Sequence, residues 1–198
     1  AMERFTKKIR LRDGMEVLVR PLEKMDGPAL LSFFRALPEW DRLFLKEDVT
    51  RPEVIDRWMA ELDFDRVLSI VAEKDGAIIG DAKLLLNPYG WQRHMAEILC
   101  VVSRPHQRKG LGTSLMRELL AHAVERGVLK VSVNLMDTQK SAQKAFERIG
   151  FIKEAELKDF VTDVGGNLHG LVVMVNDVSE LWKKMEVLLL YYDIRTMD

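Results

Sequence analysis

Apolar and polar positions alternate with period two in three places, each broken by a turn dipeptide. Ile9 and Leu11, then Asp13-Gly14, then Met15, Val17 and Val19 predict a hairpin around a turn that tolerates positive φ. The run Val67-Leu68-Ser69-Ile70-Val71-Ala72, then Asp75-Gly76, then Ala77-Ile78-Ile79-Gly80 predicts a second, and Phe160-Val161, Gly165-Gly166 and residues 168–175 a third. Period-3.6 stretches lie between them. Residues 28–37 and 52–62 read as helices with Pro28 and Pro52 near their starts, where a missing N–H costs nothing. Leu111, Leu115, Leu119 and Ala123 recur every four positions, and Gly127 supplies a stop. A strand over 96–102 precedes that helix. A β-branched run, Lys130-Val131-Ser132-Val133, follows it, then a helix with Ala142, Ala145, Phe146 and Ile149 on one face. Asp137 or Thr138 can cap this last helix, and Gly150 ends it. The expected order is ββααβββαβαββ with a terminal helix near 178–190. A βαβ unit among hairpins predicts an α/β fold with a mixed sheet and helices on its faces. The terminal helix would carry Leu181, Met185, Leu188 and Leu189 as a stripe, suited to packing on the sheet or against a second copy in a homodimer.

Composition narrows the function classes. The chain has 198 residues, with 47% hydrophobic and 31% charged positions, and is expected to be a single domain over 1–198. Its core would span about 17–175, flanked by an N-terminal strand extension (3–16) and a C-terminal helix and tail (177–198). Thirty Lys+Arg against 31 Asp+Glu remove the electrostatic case for a general nucleic-acid or anionic-membrane partner. The densest apolar run, Val187-Leu188-Leu189-Leu190-Tyr191-Tyr192, is far short of the roughly 20 residues of a spanning helix. The single cysteine, Cys100, suits a reducing compartment, and a cytoplasmic protein is expected.

Val101-Val102-Ser103-Arg104-Pro105-His106-Gln107-Arg108-Lys109-Gly110-Leu111-Gly112-Thr113 carries the most chemistry. A strand ends, a basic loop follows, and two glycines open an amphipathic helix. The first-turn N–H groups of a helix lack internal partners, glycines admit a close ligand, and Arg108 with Lys109 adds charge. The combination suits a diphosphate; alternatively it is a tight capping turn with two exposed basic side chains. A dinucleotide fingerprint would need a third glycine where Leu115 stands, and an acid where the next strand offers 131–134. A nucleotide-triphosphatase loop would need Gly-Lys-Ser/Thr, which is missing here.

Gln107-x-x-Gly110-x-Gly112 resembles the Gln/Arg-x-x-Gly-x-Gly/Ala spacing of the GNAT acetyltransferase superfamily. Val19-Arg20-Pro21, Gly80 and Phe146-Glu147-Arg148-Ile149-Gly150-Phe151 add to the likeness, which runs from about Val17 to Met174. The resemblance implies a largely antiparallel sheet splayed near the glycine loop, to which the first hairpin adds an extra N-terminal strand. It also implies acetyl-CoA as cosubstrate and an amine acceptor; His94, His106, His122 and His169 show no ligand spacing, so no metal is expected. By position, the backbone from Arg108 through Lys109, Gly110, Leu111 and Gly112 to Thr113 would hold the pyrophosphate, after Gln107. Cys100, Val101 and Val102 would pair their main chain with the pantetheine arm, and Gln139 and Phe146 fall at further cofactor positions. Trp40 and Phe44 lie in the segment that lines the acceptor side in this family; they are equally readable as core.

Direct acetyl transfer needs a neutral amine, and Glu97 is the candidate base; it also reads as a solvated edge carboxylate or a partner of Arg93. The Tyr that usually protonates the leaving thiolate is Phe146 here, and the Asn seven residues earlier is Gln139. Ser141, Cys100 or water would have to serve. Phe146 therefore keeps a second reading open, a CoA-binding regulatory or interaction module without turnover. His169, in the last hairpin, is a surface histidine or a secondary base.

Overall fold

The computed structural model describes residues 5–180. One sheet of eight strands has the order β1-β2-β3-β4-β5-β6-β8-β7. The strands are β1 (Lys7–Arg10), β2 (Glu16–Pro21), β3 (Val67–Lys74), β4 (Ala77–Leu86), β5 (Met95–Val102), β6 (Lys130–Met136), β7 (Ile152–Thr162) and β8 (Leu168–Asp177). Helices α1 (Gly27–Ala36), α2 (Pro52–Ala60), α3 (Leu111–Glu125) and α4 (Lys140–Glu147) fall where the apolar spacing predicts them. All neighbours are antiparallel except β5 and β6, the pair joined through α3. That crossover needs a helix, because parallel strands cannot be linked by a tight turn. The stripe Leu181, Met185, Leu188 and Leu189 lies outside the described residues.

Two apolar clusters sandwich the sheet. Leu111, Leu115 and Leu119 of α3 pack on Ile70, Ile98 and Val102, and Phe146 of α4 belongs to the same cluster. Leu30, Phe33 and Phe34 of α1 and Ile55 of α2 pack on Val71, Ile78 and Val101, the alternate strand positions. Gly80 explains how closely α3 lies on the sheet: a Cβ there would stand 3.2 Å from Leu115 Cδ1. Arg20 ties β2 to the rest. Its guanidinium forks onto Asp26 at 2.7 and 2.8 Å and reaches Glu73 of β3 at 2.8 Å.

Asp81 and Lys83 of β4 are buried under α1 and α2, with Lys83 Nζ 3.6 Å from Asp81 Oδ2 and 3.4 Å from the Trp58 ring centroid. Desolvation raises the Asp81 carboxyl and lowers the Lys83 ammonium, and the attraction between the two opposes both shifts. Asp81→Ala strands that ammonium and is expected to cost about 3–5 kcal/mol in urea unfolding. Adding Lys83→Met should recover more than half of the loss. A single variant within about 1 kcal/mol of wild type would show that the pair matters little.

Candidate functional site

The sheet opens at β5. Only Met95↔Lys130, Ala96↔Val131 and Glu97↔Ser132 pair β5 with β6, although β5 runs on to Val102 and β6 to Met136. Beyond Glu97 the two strands diverge, and the β5 edge facing the opening has no strand partner. An extended strand turns the main chain of alternate residues to opposite edges. The Ser103 N–H donates to Ile79 O of β4, so Val101, two residues back, also turns to β4. Cys100 and Val102 face the opening. This departs from the sequence expectation for one of the three residues: Val101 spends its main chain on β4, while the Val102 carbonyl, on the open side, accepts Gln107 Nε2 at 2.9 Å. Cys100 keeps the open edge.

A groove of about 630 Å³ continues from that edge between the N-terminus of α3 and the side of α4. Gly110, at φ +92, takes the left-handed conformation that only glycine adopts without strain, and turns the chain into α3. Arg108, at φ +61, holds the same region without that freedom. Among the described residues, none of the amides from Arg108 to Thr113 has an acceptor; the helix ladder starts with Ser114 N–H donating to Gly110 O. Six backbone donors at the positive end of a fifteen-residue helix make an anion seat.

Charge in the groove departs sharply from the near-neutral whole. Five lining side chains are cationic: Arg12, Arg108, Lys140, Lys144 and Arg148. Among the described residues none of the five has an ion-pair or hydrogen-bond partner. Lys140, Lys144 and Arg148 recur every four residues along α4, which places them on one face. The lone acid in the wall, Asp41, is taken by Arg104 at 2.9 Å. Lys109 differs from expectation. Its ammonium is 2.9 Å from Asp13, and it does not line the groove. Leu111 is buried in the core at 1% exposure, so only its amide faces outward. Gln107, Gly112 and Thr113 line the groove. Arg12, from the β1–β2 turn, is a groove-lining cation that the loop motif could not reveal.

At the inner end, Phe146 lines the groove, buried at 5% and edge-on to Phe151 at 4.9 Å. Gln139 also lines it, but its Oε1 accepts the Met136 N–H at 2.8 Å. Ser141 is on the same wall. Burial, with the Asp81 carboxylate adding to it, pushes the Cys100 thiol up to about 12. Handing that proton to a thiolate of pKa near 8.5 would be uphill by about 5 kcal/mol, so Cys100 is a poor acid for a departing thiol.

Glu97 stands where the strands part. Asn134 Nδ2 donates to its Oε1 at 3.1 Å across the opening, and Lys46 Nζ lies 3.6 Å from Oε2. Neither partner is Arg93. Behind β5, on the side of α1 and α2, a second cavity of about 260 Å³ is lined by Leu99, Lys46, Trp58, Ser69 and Lys83. Phe44 borders the groove and packs on the α1–α2 cluster, while Trp40 is 46% exposed and lines neither cavity. Away from the opening, His169 sits 3.0 Å from Asp163 and 3.6 Å from Asp137. Bonds from Asn167 first and His169 next hold the Asp163 carboxyl well below the usual range. Asp137 does not cap α4; it accepts the Gly170 N–H at 3.0 Å. No helix among the described residues is long and apolar enough to cross a membrane.

Known proteins share this fold. The GNAT domain of S. lividans PAT superposes with a TM-score of 0.72 at 21% identity, covering 87% of this chain and 96% of that one. The ribosomal-protein-alanine N-acetyltransferase of Brucella melitensis gives 0.69 at 23% identity, over 80% of this chain and 98% of that one. Salmonella typhimurium yncA, solved with its cofactor acetyl-CoA, gives 0.69 at 18% identity, over 82% and 94%. At such identities the likeness is one of fold. Residues 33–151, well over half of the 198, match the acetyltransferase (GNAT) family. A splayed β5–β6 pair, a glycine turn that leaves six amides free and a family match spanning both place this chain in the acetyltransferase (GNAT) family.

Proposed function

We propose that the protein transfers the acetyl group of acetyl-CoA to a primary amine by direct attack. The observation that carries the reading is the row of unbonded amides from Arg108 to Thr113, set in a groove whose free cations outnumber its acids. A diphosphate satisfies those donors, and the amide-rich pantetheine arm satisfies the Cys100 edge as an added strand would. The chemistry of the residues fits acetyl-CoA along the length of the groove. When bound, it supplies a thioester carbonyl for the amine to attack, with the C–S bond breaking and a thiolate leaving.

The chain's own part is to seat the phosphates, expose the carbonyl and collect a proton. An amine of pKa near 10.4 is only about 0.1% neutral at pH 7.4, a deficit of about 4 kcal/mol. Glu97, at the apex of the opening, is the group to remove that proton. The acceptor approaches from the cavity behind β5, which Lys46 borders while reaching Glu97. Phe146 has no proton to give. A CoA thiol titrating near 8.5 leaves tolerably without an acid, at a cost to rate.

Acetyl-CoA should bind at micromolar concentration or tighter, and an amine panel should release CoA thiol at rates above hydrolysis. Binding without release on any amine would favour a CoA-binding module instead. Phe146→Tyr restores a hydroxyl at the groove's inner end and is expected to raise kcat by about tenfold or more with KM for acetyl-CoA unchanged. A rate unchanged or lowered would mean that proton delivery to the thiolate does not limit turnover.

A further inference from the structure

The β1–β2 hairpin lies outside the stretch that matches the family, which starts at residue 33, yet it reaches the glycine turn from the far end of the chain. Three contacts fix it there. The Arg12 N–H donates to Lys109 O at 3.0 Å, and Lys109 Nζ lies 2.9 Å from Asp13 Oδ2. Leu11, 5% exposed, is part of the cluster that includes Leu111. The turn itself is closed by Leu11 N–H to Met15 O at 2.8 Å and Gly14 N–H to Leu11 O at 3.0 Å. A short braced turn therefore presents the Arg12 side chain over the mouth of the cradle. A Cβ placed on Gly110 would stand 3.7 Å from Arg12 Nε.

We infer that Arg12 is a pyrophosphate-binding residue of the acetyl-CoA site, supplied by the N-terminal hairpin in place of Lys109; the assignment rests on the acetyl-CoA reading above. The two cations have exchanged roles. Lys109, inside the motif, is neutralised by Asp13 and turned from the groove. The Arg12 guanidinium, outside the motif, lines the groove and has no hydrogen-bond or ion-pair partner among the described residues. A guanidinium also suits a diphosphate better than an ammonium, because its planar fork can donate two parallel N–H bonds to phosphoryl oxygens. Its neighbours are the amides of the turn. The other three free cations off the loop, Lys140, Lys144 and Arg148, lie on α4 and its C-cap, on the opposite wall. That division leaves the diphosphate at the turn to Arg12 and Arg108.

The test is calorimetric titration of wild type, Arg12→Gln and Arg12→Lys with CoA, dephospho-CoA and pantetheine at one salt concentration. Arg12 is exposed, and thermal melts of the free proteins should coincide. Arg12→Gln is expected to weaken CoA about 10- to 100-fold, with Arg12→Lys in between. Dephospho-CoA lacks the 3′-phosphate and keeps the pyrophosphate, so the same fold-loss is expected for it; pantetheine has neither, and its weak binding should not change. Hydrogen exchange over residues 7–16 should slow when CoA binds wild type and much less when it binds Arg12→Gln. Wild type that ignores CoA overturns the acetyl-CoA reading and this assignment with it. Wild type that binds CoA while Arg12→Gln stays within twofold overturns the assignment alone. A loss seen with CoA and absent with dephospho-CoA overturns it too, by moving Arg12 to the 3′-phosphate.

Discussion

Gly112→Asp is expected to abolish CoA binding while leaving the fold at least as stable as wild type. Gly112 lines the groove in the first turn of α3, and a Cβ there meets only Val102 Cγ2, at an ordinary 3.7 Å. The substitution is therefore not excluded by packing. An acid in the first turn of a helix is favourable, by about 0.3–1 kcal/mol, so the melting temperature should hold or rise slightly. The same carboxylate stands where a diphosphate would rest. Two unit charges about 4 Å apart at an effective dielectric near 20 repel by about 4 kcal/mol, close to a thousandfold in affinity. Stability and binding thus move in opposite directions, a signature that simple misfolding cannot produce. Gly112→Ala is the control: it adds the Cβ without the charge and should cost affinity only modestly. Calorimetry showing Gly112→Asp within about fivefold of wild type would place the phosphates elsewhere.

The elements were legible because their signals are local. Leu111, Leu115, Leu119 and Ala123 mark one helical face whatever lies next to it, and all four are buried on the sheet. The Asp75-Gly76 turn has both residues at positive φ, at +50 and +79, the conformation those residue types tolerate best. The glycine turn itself was equally visible, since a helix start with free amides is a property of a few consecutive residues. What escaped depends on register and on distant segments meeting. No pattern within β5 says that its pairing with β6 stops at Glu97, nor which of Cys100, Val101 and Val102 turns toward the gap. Lys109 reads as a free cation until Asp13 arrives beside it, nearly a hundred positions earlier in the chain. Asn134 and Lys46 reach Glu97 from β6 and from the segment between α1 and α2, where nothing sequential links the three. Asp81 and Lys83 escaped for another reason. Charged residues normally mark a strand's solvent face, and here α1 and α2 cover that face, leaving the two ions to each other.

Glu97→Gln should lower kcat by about 10²–10⁴ at pH 7.4 and leave the KM for acetyl-CoA unchanged. The amide keeps the size of the carboxylate and an oxygen for Asn134, but it cannot accept the amine proton. The dependence on pH separates this role from a structural one. Without a base, the variant must wait for amine that is already neutral. That fraction rises tenfold per pH unit up to about 10.4, from about 0.1% at pH 7.4 to about 10% at pH 9.4. The variant's rate should climb along that line, so its deficit shrinks by about two decades across the interval. Wild type, which takes the proton itself, should change far less. If Glu97 merely braces the opening through Asn134, the outcome differs: the loss would appear in melting temperature, and the two pH profiles would run parallel. Asn134→Ala supplies the complementary case, removing the brace while keeping the carboxylate. It should lower stability yet preserve the shallow wild-type profile, and a steep profile in that variant would transfer the role from the Glu97 carboxylate to the geometry that Asn134 maintains.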